Sequence, residues 1–288
     1  MKNLNYQLKQ LCQQNRDGGF STQSQRAWQL SLIANQLEEL GFRRMGVRSL
    51  KQKHIAALTK LWDRQGISIG TRKNRLSTLR WWAKKVGKHS VIAKDNSVYG
   101  IGTRKYVVDY SKAQELDVDK LAAINDPYTV LSIRLQAAFG LRREEAIKFQ
   151  PGYAIKADHL QLKSSWCKGG RARVVPIIND NQRALLLEVQ ALAKTGSLIP
   201  AELKYVQQLH RYERQTRNVG LKRLHGLRHA YAQRRFVEVA GFACPNNGGP
   251  RSKELTIEQR ALNEKARAMI SAELGHSRES ITAVYLGR

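Results

Sequence analysis

The side chains of this chain that could do chemistry are basic groups and a tyrosine, and they suit a reaction at a phosphodiester. Such a reaction needs a nucleophile, positive charge for the phosphoryl oxygens and a proton for the departing oxygen. A metal ion can supply much of this, but the sequence has no carboxylate cluster with ligand spacing. We therefore expect no metal and no cofactor. The positive charge would come from arginines, which stay charged and bind phosphate in a bidentate fork.

Two segments in the middle of the chain carry the first candidates. In FGLRREEA, Arg142 lies at the predicted start of a helix, and Glu145 three residues later could hold its guanidinium. The same spacing is more often a solvated ion pair on a helix surface. In WCKGGRARVVPI, Lys168 lies on a Gly-Gly turn, from which it could protonate an alkoxide. An exposed turn lysine has the same pattern.

Two later segments carry the remaining candidates. In HGLRHAYA, His225, Arg228 and His229 share one helix face, and this basic triplet could face a phosphate. A partly buried, hydrogen-bonded His229 fits the pattern equally well. In LGHSRESITAVY, Ser277 is a candidate cap for a short helix that carries Tyr285. A tyrosine on the apolar side of a helix is ordinarily a core residue, so no segment decides the chemistry alone.

The charge of the chain favours a polyanionic partner. Fifty Lys+Arg against 23 Asp+Glu give a formal net charge of +27 over 288 residues. The excess is spread along both halves rather than concentrated in a tail, so both halves are expected to touch the same polyanion. Nucleic acid is favoured over a ribosomal role, a membrane surface or simple solubility. The residues expected to bind DNA are Arg72, Lys73, Arg75, Arg80, Arg171 and Arg173.

Helical periodicity predicts the elements of the first 95 residues. Helices are predicted at 23–40, 49–62 and 71–86, with a shorter one near the N-terminus. In the first of them, Trp28 is expected to lie on the apolar face. Residues 96–112 break the period with glycines and other turn formers and are interpreted as a linker.

Residues 113–288 are predicted to form a second domain, mostly helical with one β-hairpin. Two alternating segments flank the Lys-Gly-Gly turn, which is typical of a hairpin. The fold class is therefore mainly α with a small β-hairpin or sheet. The predicted strands are 159–165 and 171–177, and the predicted helices are 118–124, 128–139, 143–149, 182–193, 198–214, 225–239, 255–273 and 279–285.

The composition also bears on the compartment. No stretch approaches the roughly 20 apolar residues of a membrane span, and the N-terminus lacks the apolar region of a secretory signal. The three cysteines form no paired spacing, which fits a reducing cytosol and predicts neither a disulfide framework nor a zinc site. We expect a cytoplasmic protein with no membrane partner.

The joint order and spacing of the four segments resembles the tyrosine recombinase (phage integrase) family. The strings that carry the resemblance are GLRREEA, KGGRARVVPI, HGLRHAYA and LGHSRESITAVY, with Tyr285 nine residues after His276. The resemblance covers residues 112–288, and residues 1–95 are similar to the helical core-binding (SAM-like) domain of that family. It implies a site-specific DNA recombinase, the integrase of a phage or integrative mobile element, that needs neither metal nor ATP.

The resemblance also implies catalytic roles. Tyr285 would be the nucleophile that forms a 3′-phosphotyrosine and frees a 5′-hydroxyl. Arg142 and Arg228 would bind the non-bridging oxygens of the scissile phosphate, and Lys168 would be the general acid for the 5′-oxygen.

The remaining site residues have auxiliary roles by the same resemblance. His225 would assist proton transfer to or from Tyr285, and His276 would bind a phosphate oxygen. Glu145 and His229 would support them. The implied partners are double-stranded DNA and a homo-tetramer on two DNA sites, with a monomer or weak dimer when free. Accessory DNA-bending proteins are also implied, in a bacterial, nucleoid-associated setting.

Two features depart from the compact family pattern. A long stretch separates Arg228 from Gly275, and within it Cys244–Arg267 includes a PNNGGP loop. This insertion either contacts DNA or a neighbouring protomer, which is favoured, or is an inert surface feature. Only three residues follow Tyr285, where many relatives link subunits through a longer tail.

Two alternatives to a recombinase remain at this stage. One is a type IB topoisomerase, and the other is a catalytically silent DNA-binding or accessory protein. The helical N-terminal domain favours recombination over the first, and the complete set of candidate residues speaks against the second.

Overall fold

The chain divides into two compact units. The structure is a computed structural model that describes residues 3–276 and 278–288. One unit runs up to Lys105 and the other spans Tyr106–Arg288. Ser277, the predicted cap, lies outside the described residues. The roles predicted for 1–95, 96–112 and 113–288 stay predictions.

The first unit is a helical bundle around two buried tryptophans. Trp62 and Trp82 are fully buried, and each indole N–H is satisfied. Trp62 Nε1 donates to Gln36 Oε1 at 2.9 Å, and Trp82 Nε1 donates to the Val47 carbonyl at 2.8 Å. The prediction for Trp28 was wrong, because its side chain is 62% exposed. The helices are α1 (Asn3–Gln14), α2 (Phe20–Glu39), α3 (Gln52–Arg64) and α4 (Ile69–Lys85).

Arg75 on α4 is a correction to the predicted DNA contacts. Its side chain is only 9% exposed, and its guanidinium carbon lies 5.4 Å from the centre of the Trp62 ring. A cation in this position is held by the face of the indole. Arg75 therefore belongs to the core of the first unit rather than to a DNA-facing surface.

The other predicted contacts on α4 are partly exposed, and two of them have protein partners. Arg72 forms an ion pair with Asp63 at 2.6 Å. Arg80 donates two hydrogen bonds to the Ala93 carbonyl, at 2.8 and 3.1 Å, and so holds the segment that follows α4. Lys73 is partly exposed. DNA contacts by these three residues stay predictions.

The second unit is mostly helical with a two-stranded antiparallel sheet, and the predicted fold class is confirmed. None of the helices in the described residues is long and apolar enough to cross a bilayer. The helices are α5 (Val118–Ala122), α6 (Pro127–Phe139), α7 (Arg143–Ile147), α8 (Pro151–Ala154), α9 (Asp180–Ala193), α10 (Tyr205–Asn218), α11 (His225–Ala240), α12 (Ile257–Glu273) and α13 (Glu279–Leu286).

The sheet pairs β1 (His159–Leu162) with β2 (Arg173–Pro176). Both strands are shorter than predicted, because a 3₁₀ turn at Ser164–Trp166 ends the pairing early. The loop that follows the turn carries Lys168. Helix α10 begins at Tyr205 rather than at 198, since Pro200 disfavours the helical conformation of Ile199, the residue before it.

The core of the second unit includes the candidate nucleophile. Helices α6, α11 and α12 contribute Phe139, Phe236 and Ile270, which are fully buried in one apolar cluster. Tyr285 on α13 belongs to the same cluster and is 6% exposed. The prediction that this tyrosine packs as a core residue and the prediction that it is a nucleophile are thus compatible, because only its hydroxyl has to reach the reacting phosphate.

The insertion is not an inert surface feature. Most of its second half is α12, and its PNN segment is a 3₁₀ turn under the end of the chain. The Asn246 amide is oriented so that its nitrogen donates to the Val108 carbonyl at 2.9 Å and its oxygen accepts from Gly287 N at 3.3 Å. Whether the loop also contacts DNA or another protomer stays a prediction.

A substitution of Gly140, at the end of α6, tests how closely the backbone packs against Tyr231 next to the site. Its φ is +61°, and an added Cβ would lie 2.5 Å from the Tyr231 ring. We expect Gly140→Ala to lower the free energy of unfolding by about 1–3 kcal/mol, through strain and overpacking. Gly152→Ala is the matched control, since nothing lies within 4 Å of its Cβ position. Equal denaturant midpoints for the two variants would contradict this account.

Candidate active site

Two arginines from different helices meet at one backbone carbonyl. Arg228 on the first turn of α11 is 1% exposed and donates to the carbonyls of Gly140 and Leu274. Arg142, which caps α7, donates through Nη2 to the same Leu274 carbonyl at 3.3 Å. Leu274 follows the last residue of α12, where the helix dipole places partial negative charge. Burial, and then the charge of Arg142, lowers the pKa of Arg228 to about 10, so it stays charged at neutral pH.

A buried carboxylate balances this positive charge. Glu145 is fully buried and accepts from Arg142 Nη1 at 2.8 Å and from the Arg142 backbone N–H at 2.6 Å. Burial acts to raise the pKa of Glu145, but the bonds and charge of Arg173, with the charges of Arg228 and Arg142, bring it down to about 2. Glu145 is therefore ionised, as its predicted supporting role requires.

Arg173 is a correction to the predicted DNA contacts. Its guanidinium forms a bidentate pair with Glu145, with both distances at 2.6 Å, and its Nε donates to the Glu273 carbonyl at 2.8 Å. The side chain is 4% exposed. A charge-assisted fork of this kind commits the guanidinium to the protein. Arg173 thus helps to position Arg142 through the shared carboxylate. Arg171, two residues earlier, is exposed, and its contact with DNA stays a prediction.

Tyr285 lies among the basic residues of its own chain. Its hydroxyl is 3.2 Å from His225 Nε2, and the guanidinium carbon of Arg228 is 5.8 Å from its ring centre. The His229 ring packs 4.3 Å from the Tyr285 ring, and the His276 ring stacks on it at 5.1 Å. The structure therefore brings the tyrosine, both arginines and the three histidines together.

The histidines around Tyr285 have lowered proton affinity. Burial is the main cause for each of them. It lowers the pKa of His229 to about 4 and, with the charges of Arg228 and Arg142, that of His276 to about 3. Partial burial, followed by the charges of Arg228, Arg142 and Lys168, also lowers the pKa of His225. A neutral His225 next to the tyrosine hydroxyl can accept its proton.

Lys168 lies in the exposed loop between β1 and β2. Its charge contributes to the lowered pKa of His225, which puts it in the electrostatic neighbourhood of the site. Gly169 and Gly170 follow it with φ of +81° and +68°, a conformation that suits glycine. The turn thus holds the ammonium group at the surface, where a bound substrate can reach it.

The segment that leads into the second unit is tied to α13 by side-chain amides. Gln233 donates to Ser111 Oγ at 3.0 Å and to the Tyr285 carbonyl at 3.1 Å. Asn246 joins Val108 to Gly287 in the same way. Nothing in the sequence pattern predicted these links, because their partners are far apart along the chain.

The sequence analysis also did not predict a basic groove that lies beside His225. It has a volume of about 840 Å³, and its lining in the described part of the chain includes Lys112, Lys222 and Arg223 but no carboxylate. Its floor is tight, since an added Cβ on Gly226 would lie 2.6 Å from Gln114 Cβ. The Lys-Arg pair three residues before His225 was a possible signal, but Lys112 is remote in sequence.

Two family profiles match most of the chain. The profile of the phage integrase N-terminal domain matches residues 1–92, and the integrase profile matches residues 101–234. The chain belongs to the phage integrase (tyrosine recombinase) family. Its function is therefore that of a tyrosine-type site-specific recombinase. The second match includes Arg142, Lys168, His225 and Arg228 of this integrase, while His276 and Tyr285 lie beyond it.

Solved structures with the same fold include three recombinases in complex with DNA. A lambda integrase dimer bound to a COC′ core site has a TM-score of 0.63 at 17% identity, covering 99% of this integrase and 78% of that chain. The Tn1549 transposon integrase in complex with circular intermediate DNA has a TM-score of 0.57 at 13% identity. The match covers 100% of this integrase and 96% of that chain. The XerH recombinase bound to its difH substrate, in a pre-cleavage complex, has a TM-score of 0.55 at 16% identity. The match covers 98% of this integrase and 80% of that chain. No curated protein matches the sequence significantly.

The different surroundings of Arg171 and Arg173 give a matched pair of variants. We expect Arg173→Ala to lower the free energy of unfolding by about 3–5 kcal/mol, because it leaves the buried Glu145 carboxylate without its main partner. Arg171→Ala should change the free energy of unfolding by less than about 0.5 kcal/mol. It should weaken DNA binding and reduce the slope of the logarithm of the binding constant against the logarithm of salt concentration by about one. Chemical denaturation and binding titrations at several salt concentrations measure both. An Arg173→Ala protein of unchanged stability that bound DNA less well would restore the original prediction.

Proposed function

We propose that this integrase cuts and rejoins double-stranded DNA through a covalent 3′-phosphotyrosine formed by Tyr285. The observation that carries the proposal is the position of the Tyr285 hydroxyl, 3.2 Å from His225 Nε2 in a cluster with Arg142 and Arg228. A nucleophile, a proton acceptor and two fixed positive charges are the parts that phosphoryl transfer at a diester requires.

Phosphate binding is the first step of the proposed reaction. Arg142 and Arg228 are held side by side by a protein group, since both donate to the Leu274 carbonyl. Their guanidinium groups would donate to the two non-bridging oxygens of the scissile phosphate. His276 Nε2 is buried without a partner among the described protein atoms, and a phosphate oxygen would supply one. Because protein bonds hold the two guanidinium groups, little reorganisation is needed as charge develops on the phosphoryl oxygens.

Proton transfer and attack follow. A free tyrosine has a pKa of about 10, so its phenol needs a base to become an effective nucleophile. His225 would accept the phenolic proton while Tyr285 Oη forms a bond to phosphorus. The bond from phosphorus to the 5′-oxygen breaks, and Lys168 would donate a proton to that oxygen.

Rejoining is the reverse of cleavage. A 5′-hydroxyl from the second DNA partner would attack phosphorus and give its proton to the neutral Lys168. The bond from phosphorus to Tyr285 Oη breaks, and the phenolate takes back the proton held by His225. One phosphodiester is exchanged for another of similar energy, so no ATP is needed. The basic groove with Lys112, Lys222 and Arg223 lies next to His225 and would bind DNA phosphates near the cleavage point.

The assembly is also part of the proposal. We expect a homo-tetramer on two DNA sites, formed from a monomer or weak dimer, with accessory DNA-bending proteins and a location at the bacterial nucleoid in the cytoplasm. A lambda integrase tetramer bound to a Holliday junction has the same fold, with a TM-score of 0.60 at 16% identity, which supports this assembly.

Replacing the nucleophile tests the proposal directly. Tyr285→Phe should keep DNA affinity and lose all covalent adduct, because it removes the hydroxyl and keeps the ring that packs on His229 and His276. The measurement is trapping of a nicked suicide duplex as an SDS-resistant species, with wild-type protein as the positive control. An adduct formed by the phenylalanine variant would refute the assignment.

The role of Lys168 is tested by changing the leaving group. Lys168→Ala should cleave ordinary DNA about 100-fold or more slowly, as expected for loss of a general acid. The same variant should regain its rate on a duplex with a 5′-bridging phosphorothiolate, whose sulfur leaves without a proton. Arg171→Ala, two glycines away in the same loop, is the control for a general loss of positive charge. If Lys168→Ala were equally slow on both substrates, the lysine would not be the acid.

A further inference from the structure

We infer that Thr282 is a positioning residue whose hydroxyl holds the His276 ring in the tautomer that presents an N–H to the scissile phosphate. The inference rests on the proposed function, because it concerns how His276 binds the substrate. Thr282 lies in the fourth of the sequence segments, but the sequence analysis gave it no role.

The geometry joins the two side chains across the start of α13. Thr282 is fully buried, and its Oγ1 lies 3.0 Å from His276 Nδ1. The His276 backbone is also fixed, since its N–H donates to the Ser271 carbonyl at 2.9 Å. The ring stacks on Tyr285 with an interplanar angle of 28°. The ring plane and the position of Nδ1 are thus both restrained.

The threonine hydroxyl has an unusual partner for a helix. The hydroxyls of Thr59 and Thr216 donate to carbonyls one turn earlier, Ile55 at 3.0 Å and Tyr212 at 2.9 Å. Thr282 makes no such bond within the described residues, and its hydroxyl is directed at the histidine instead. A buried hydroxyl that gives up the usual backbone bond points to a specific use of the side-chain bond.

The direction of this bond decides what His276 can do. A neutral imidazole carries its proton on one nitrogen only, and the low pKa of His276 keeps it neutral at neutral pH. If Thr282 donates to Nδ1, the proton lies on Nε2, which is the buried nitrogen without a protein partner. If Nδ1 carried the proton, Nε2 would turn a lone pair toward the phosphate oxygens, and the interaction would be repulsive. Only the first arrangement supports phosphate binding.

A valine and a serine at this position separate the hydroxyl from the shape of the side chain. Thr282→Val keeps the branched shape and removes the hydroxyl, whereas Thr282→Ser keeps the hydroxyl. We expect the valine variant to cleave a suicide duplex about 10- to 100-fold more slowly at saturating DNA, the range found for residues that orient metal-ligating histidines through the same kind of bond. Its DNA affinity should be unchanged, and the serine variant should cleave at nearly the wild-type rate.

The tautomer itself can be read by nitrogen NMR of the full-length protein bound to the suicide duplex. In wild type, His276 Nε2 should have the chemical shift of a protonated ring nitrogen and Nδ1 that of an unprotonated one. Thr216→Val is the matched control, since it removes another buried threonine hydroxyl on α10. It should leave both the cleavage rate and the His276 shifts unchanged.

Three outcomes would overturn the inference: wild-type cleavage by Thr282→Val, failure of Thr282→Ser to restore cleavage, or a proton on Nδ1 in wild type. If the valine variant loses stability, the serine variant and the wild-type nitrogen shifts decide. The proposed function fails separately, through covalent adduct formation by Tyr285→Phe. An active wild type with a fully active Thr282→Val removes the role of Thr282 alone.

Discussion

The cluster of arginines in the second unit depends on the buried carboxylate of Glu145. Glu145 accepts from both Arg142 and Arg173 and lies near enough to Arg228 for its pKa to be lowered by that charge. Three guanidinium groups could not be enclosed together without an anion, because the cost of burying unpaired charge is several kcal/mol for each ion. Glu145 reduces that cost but does not cancel the positive charge. The remaining positive charge is the feature on which the proposed binding of a phosphate depends.

The division of labour among the arginines follows from this arrangement. Arg173 is bound to Glu145 in a bidentate pair and fixes the carboxylate, whereas Arg142 and Arg228 are the two arginines proposed to bind the substrate. The Leu274 carbonyl then aligns these two, and Leu274 is two residues before His276. One turn of backbone at the end of α12 therefore sets the spacing of both arginines and of the histidine that stacks on Tyr285.

The sequence identified the side chains that the structure brings together better than it described their surroundings. Arg142, Arg228 and Tyr285 were chosen as candidates because their order and spacing are characteristic, and short-range spacing survives in a single sequence. Arg75 and Arg173 were misassigned because charge alone does not tell a buried arginine from an exposed one. An indole face in one case and a carboxylate in the other supplies the partner, and both partners come from distant positions.

The links that depend on the tertiary fold could not be predicted in this way. The threonine bond to His276, the groove with Lys112 and the amide of Asn246 each join elements whose contact only packing determines. Helix limits were close where caps and apolar periodicity agreed. The predicted start of α10 was wrong, because the apolar pattern continued through Pro200 while the helix begins at Tyr205.

The two amide links have a mechanical consequence. Gln233 and Asn246 attach residues 108–111 to the backbone at the C-terminal end of α13, at Tyr285 and Gly287. A displacement of residues 108–111 is therefore transmitted to α13 through these two side-chain links. The position of the Tyr285 hydroxyl is then sensitive to tension in the polypeptide that precedes residue 112.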